Sequence, residues 1–174
     1  MKQIIDELKA VIDGGHYYSA LTLALSLPDI CSQVAYGLAK GSRSYYIKWI
    51  NDNMDKTAFS VGIPGFEGIE LSGSICYALR CRVLHNTDLE IDKADIVAKE
   101  NIKVTNFQLV KPGTISGADG KPSGWRYHTC ESKKEYNVII DVQYLCQILY
   151  ETFLSFYNKS GLKNKLDAAC YYDV

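Results

Sequence analysis

Tyr17-Tyr18-Ser19-Ala20-Leu21-Thr22-Leu23-Ala24-Leu25-Ser26-Leu27 is the stretch on which the fold turns. Ala20, Leu21, Leu23, Ala24, Leu25 and Leu27 are apolar nearly all round a helical projection. A helix with so little polar face belongs at the centre of a bundle. Pro28 predicts its end, because the ring lacks an N–H and pushes Leu27 out of the helical region. Pro28-Asp29 can then open a shorter helix through Ile30, Val34 and Leu38, closed near Gly37 to Gly41. Upstream, Ile4, Leu8, Val11 and Ile12 recur at helical spacing among Lys2, Asp6, Glu7 and Lys9. That is an amphipathic helix, and Gly14-Gly15 stops it.

Downstream, Ser44 to Met54 reads as a helix with Tyr46, Ile47 and Ile50 inward and Trp49 at the edge. Residues 61–68 hold three glycines and a proline, the composition of a loop. Leu71 to Leu84 is the next helix, with Leu71, Ile75, Ala78, Leu79 and Val83 on one face and Ser72 or Ser74 as its cap. After His85 the pattern changes. Ile102–Val110 and Trp125–Cys130 read as strands around a turn-rich segment, which predicts a β-hairpin with a third strand through Tyr136, Val138 and Ile140. Asp141 has the position of an N-cap for a last long helix with Val142, Leu145, Ile148, Leu149, Phe153 and Phe156 facing in. Lys163 to Cys170 adds a short terminal helix. The expected architecture is one mainly α domain over residues 1–174. It is a helical bundle with a β-hairpin, a small antiparallel sheet, inserted at about 102–140 before the last long helix.

Composition narrows the function classes. Apolar residues are 47% and charged residues 22% of the 174, which excludes disorder, collagen and long coiled coil. A formal charge of −1 means that any polyanion site must be a local patch. There is no apolar run long enough to span a bilayer, and Met1 to Leu8 lacks a signal-type apolar segment, so a cytoplasmic protein with no membrane partner is expected. The cysteines Cys31, Cys76, Cys81, Cys130, Cys146 and Cys170 are scattered without a C-x-x-C pair and read as reduced thiols. Walker A, G-x-G-x-x-G, H-E-x-x-H and G-x-S-x-G patterns are all lacking.

The segment richest in chemistry is Tyr77-Ala78-Leu79-Arg80-Cys81-Arg82-Val83-Leu84-His85-Asn86. It sets two arginines and a histidine at the end of an amphipathic helix. An imidazole titrates near neutral pH and can act as general acid or base, while a guanidinium can clamp a phosphate through parallel donors. Together they suffice for metal-independent cleavage of RNA. Arg80, four intervening residues and His85 resemble the R-x4-6-H motif of HEPN domains, all-helical proteins prominent among bacterial toxins and antiphage systems. Residues 15–21, 27–31 and 77–81 also resemble a group of uncharacterised bacterial proteins. The HEPN resemblance covers the helices and leaves Ile102 to Ile140 outside the common core. It implies a homodimer through the Leu71–Leu84 helix, with a composite endoribonuclease site across the interface and no cofactor. Arg80 and His85 are the implied catalytic residues; Arg82 and Asn86 are assigned supporting contacts to RNA. The alternative reading is a non-catalytic HEPN-like module for dimerisation, a cognate protein or nucleic acid; the catalytic members' polar residue after the arginine is here Cys81.

Helix geometry sets a condition on this site. At about 100° per residue Arg80 and His85 are roughly 140° apart, whereas Arg82 and His85 are roughly 60° apart. Arg80 therefore meets His85 only if the helix ends or bends near Leu84, or if the two act across a dimer. Arg82 points to the side of Ile75 and Ala78, which favours a seam there. The bland counterpart is a pair of capping or surface groups near a helix C-terminus, where positive charge is favourable anyway. Cys81, His85, His128 and Cys130 match no familiar zinc spacing, so no metal is expected. Asp13, Asp29, Asp52 and Asp55 read as solvated or capping carboxylates. Lys40, Arg43 and Lys48 interleave with Tyr45, Tyr46 and Trp49 in a basic-aromatic patch that could contact unpaired bases, although half-buried aromatics among solvated lysines are commoner.

Overall fold

A computed structural model describes residues 1–37, 42–55, 72–85, 97–98, 102–116, 120, 124–130, 135–159 and 161–169. The helices are α1 (Lys2–Asp13), α2 (Tyr17–Tyr36), α3 (Arg43–Asn53), α4 (Gly73–His85), α5 (Val142–Lys159) and α6 (Lys163–Ala169), and the strands β1 (Val97–Ala98), β2 (Ile102–Val110), β3 (Trp125–Cys130) and β4 (Glu135–Asp141). The main architecture is the expected helical bundle, and α2 is its axis: α1, α3, α4, α5 and α6 all pack on it. Ala20, Leu21, Ala24, Leu25 and Leu27 are buried, as an apolar helix requires.

The predicted break at Pro28 does not occur. α2 continues through it for 20 residues and ends at Gly37, whose φ of 67° is the left-handed C-terminal conformation that glycine adopts cheaply. An interior proline costs about 3 kcal/mol locally. Here Leu27, Pro28 and Cys31 are all buried. Each large apolar side chain so placed contributes about 1.5–3 kcal/mol, so tertiary burial outweighs the local penalty. Trp49 also departs from expectation. It is not at an edge but wholly buried, its indole stacked on Phe153 with centroids 5.4 Å apart and met edge-on by Phe156 at 5.1 Å.

The sheet differs from the predicted hairpin in topology. Its order is β1-β2-β4-β3. β2 and β3, expected to pair, are separated by β4, which runs parallel to β2 and antiparallel to β3. The apolar run ending in Ile139 and Ile140, both buried, suits a central strand, whereas β3 carries Arg126, His128 and Thr129 and takes the edge. β4 passes directly into α5 at Asp141. The Asp141 carboxylate accepts from the Gln143 and Tyr144 amides at 2.9 and 3.1 Å, the predicted N-cap, and its second oxygen accepts from the Gly113 amide at 2.9 Å. One buried side chain thereby joins the helix start to the turn after β2. At the other end of the chain, the Met1 amine lies 3.2 Å from Asp167 of α6, and the Tyr157 hydroxyl donates to the same carboxylate at 3.0 Å.

Candidate functional site

α4 is positioned by its first turn. The Ser72 hydroxyl accepts from the Ile75 amide at 3.4 Å, so Ser72 is the cap, and the Gly73 amide donates to Asn51 Oδ1 of α3 at 2.7 Å. A Cβ on Gly73 would lie 2.3 Å from the Ile47 carbonyl oxygen, so only glycine lets the two helices approach this closely. Ile75, Cys76 and Leu79 are buried, and Tyr77, Ala78 and Arg80 flank them at intermediate exposure. Near the far end of α4 the Tyr18 hydroxyl donates to the Val83 carbonyl at 3.3 Å.

Arg80 is held, not swinging. Its Nε donates to Asp29 Oδ2 at 2.6 Å, and the two side chains are 21% and 24% exposed. Partial burial works against the charge, but the Asp29 hydrogen bond and carboxylate outweigh it, so the guanidinium is more firmly protonated than an ordinary arginine. The Arg80 guanidinium carbon also lies 5.8 Å from the Tyr77 ring centroid, and that of Arg43 lies 5.6 Å from the same ring. Tyr77 meets Tyr46 edge-on at 5.3 Å, and the buried Tyr46 hydroxyl donates to the Leu25 carbonyl at 2.9 Å. Desolvation, followed by the Cys81 side chain, pushes the Tyr77 hydroxyl up against the opposing pull of Arg80 and Arg43. The described groups around the Tyr77 ring thus include the Arg80–Asp29 ion pair and the Arg43 guanidinium.

Of the sequence-derived site residues, Arg80 is placed at this junction of α2, α3 and α4. The backbones of Arg82 and His85 belong to α4, which runs through His85; their side chains, and Asn86 altogether, lie outside the described residues. The described part of α4 ends at His85, one residue beyond Leu84. The basic-aromatic patch is broken up: Tyr46 and Trp49 are interior, Lys48 pairs with Asp52 over the Tyr36 ring, and Lys40 lies outside the described residues. Among the described residues no three His, Cys, Asp or Glu side chains gather as a metal ion would require. His128 and Cys130 of the zinc spacing have side chains outside the described residues. Cys76 and Cys146 are interior thiols pushed up to about 12 by burial.

Asp29, read from the sequence as a helix-end carboxylate, is instead interior to α2 and pairs with Arg80 across the bundle. One signal pointed to it: Asp29 is the single charged residue in the whole of α2, and an isolated carboxylate on a central helix needs a cation. No family model, no curated protein and no solved structure matches this chain. No helix among the described residues is long and apolar enough to cross a membrane.

Proposed function

We propose that the chain is a HEPN-like, metal-independent endoribonuclease module whose reacting site joins Arg80 of one copy to His85 of a second. The observation that carries this reading is the oriented, partly exposed Arg80 guanidinium on an α4 that continues unbroken to His85. On an ideal helix positions 80 and 85 are roughly 140° apart, which favours a second copy as the source of the partner group. His85 takes the proton of a ribose 2′-hydroxyl as it attacks the adjacent phosphorus and returns one to the departing 5′-oxygen. Arg80 neutralises the charge that gathers on the phosphorane oxygens. Arg82 and Asn86 supply supporting contacts to the strand. The test is incubation of total bacterial RNA with purified protein in excess EDTA, beside His85→Ala. Cleavage lost in the variant supports the assignment; equal cleavage by both proteins, or none by folded dimer, overturns it.

The second reading is a non-catalytic module that binds a protein or nucleic acid through the same scaffold. Its support is the Asp29 carboxylate itself, which already neutralises Arg80 within the chain. Dimer or complex formation without RNA cleavage would favour it.

A further inference from the structure

We propose that Tyr18 is a stacking platform for one unpaired base of a bound RNA strand, beside the His85 end of α4. Tyr18 is 72% exposed, so its ring stands largely in solvent. A single surface ring needs no explanation by itself. Its attachment gives this one a place. From the first turn of α2 the Tyr18 hydroxyl reaches the Val83 carbonyl of α4 and donates to it at 3.3 Å. His85 follows two positions on, about 3 Å further along the axis of α4. The Arg80–Asp29 pair is anchored elsewhere on α2, about 16 Å from Tyr18 along that axis. The ring therefore belongs with the His85 half of the site and not with the Arg80 half.

Stacking suits what this ring offers. Every base has a π-face, so an aromatic platform accepts any base without hydrogen-bond readout. It accepts only a base that is not already paired and stacked inside a duplex. The substrate class that follows is a single-stranded segment or loop of RNA, with one base on Tyr18 and the neighbouring ribose toward His85. A tyrosine side chain has only two torsions, and its hydroxyl bond already holds this ring against α4, so little freedom is lost when a base arrives. Stacking neutralises no phosphate, so the ring's share of the affinity is insensitive to salt. This role rests on the RNA-acting reading of the site but not on cleavage.

The experiment uses full-length His85→Ala protein as parent, so that RNA survives, with fluorescence anisotropy on a labelled single-stranded RNA and on its duplex over a salt series. Adding Tyr18→Ser should weaken single-strand binding about tenfold while leaving duplex binding and the log–log salt slope unchanged. Adding Tyr18→Phe, which keeps the ring and removes the bond to Val83, should keep most of the affinity. Circular dichroism and light scattering check that both variants keep the parent's fold and molar mass. Equal losses in Tyr18→Phe and Tyr18→Ser, equal losses on single strand and duplex, or a fall in molar mass alongside the affinity overturns the platform. Unchanged single-strand affinity in Tyr18→Ser, with RNA bound by the parent, overturns the platform alone. No RNA binding by the parent overturns the platform and the RNA-acting reading together. Cleavage is read separately from the unmodified chain, so failure of the nuclease reading leaves a positive binding result standing.

Discussion

Replacing Gly73 with alanine sets two physical effects against each other, and the structure decides their order. In an isolated helix the change stabilises by about 0.5–1 kcal/mol, because glycine loses more backbone freedom on folding. Here the new Cβ would sit 2.3 Å from the Ile47 carbonyl oxygen, 2.8 Å from its Cα and 2.9 Å from its carbonyl carbon. All three are backbone atoms of α3, so no side chain can rotate away. Recovering an ordinary separation of about 3.5 Å moves α4 back by about 1 Å. Overpacking of this kind costs about 1–3 kcal/mol, and stretching the Gly73–Asn51 hydrogen bond forfeits about 1 kcal/mol more. The expected net loss is about 2–3 kcal/mol, a fall in Tm of about 4–12 °C for a chain of this size. Urea and thermal unfolding followed by far-ultraviolet circular dichroism measure it. Gly161, with nothing within 4 Å of a built Cβ, serves as the control and should accept alanine without loss. A Gly73→Ala protein as stable as its parent would refute the close α3–α4 approach, and with it the placement of Arg80 over α2.

Asp29→Asn and Arg80→Gln, separately and together, form a double-mutant cycle whose coupling energy is expected at about 1–2 kcal/mol, between the surface and the buried ranges for ion pairs. Additive effects in urea unfolding would show that the pair contributes nothing. The second prediction concerns pH. Desolvation opposes the Asp167 charge, but bonds from the Lys2 amide and Tyr157 and the Met1 amine hold this carboxyl below its ordinary value. Its stabilisation is therefore complete above the unfolded value, near 4, and is lost as pH falls through the lower folded one. The stability gap between the parent and Asp167→Asn should close below about pH 4, and a gap that stays constant from pH 7 to pH 3 would refute it.

The parts of this fold that were legible were those decided within a few residues or by composition. α2 is central because its side chains are apolar all round, and Asp141 caps α5 because a carboxylate reaches amides two and three residues on. Ser72, one of two candidate caps, follows the same rule. Pro28 was misleading because its cost is local and its compensation, the burial of Leu27 and Cys31 against neighbouring helices, is not. Strand order was hidden for a related reason. β2, β3 and β4 have comparable propensities, and nothing in their own residues announces that β4 will lie between the other two. Trp49 falls on the buried face with Tyr46 and Ile50, at i+3 and i+4, a spacing that the edge placement overrode.

The candidate site divides along the same line. Arg80 could be picked out from its spacing to His85, but its partner could not, since Asp29 lies 51 residues away and becomes a neighbour only because α2 does not stop at Pro28. That continuity bears on the composite-site reading. A two-fold dimer with α4 at its seam would bring two Arg80 and two His85 groups together, along with both copies of Arg82. Unpaired, so many cations would repel across the seam before any phosphate arrived. Asp29 offsets one positive charge in each copy, so on the composite-site reading the same ion pair that argues for a quiet binding module would also let two motif helices approach. The Asp29→Asn protein separates the two roles: on the composite-site reading it should dimerise less at low salt and recover at high salt, whereas a purely internal bridge would leave the association of copies unchanged.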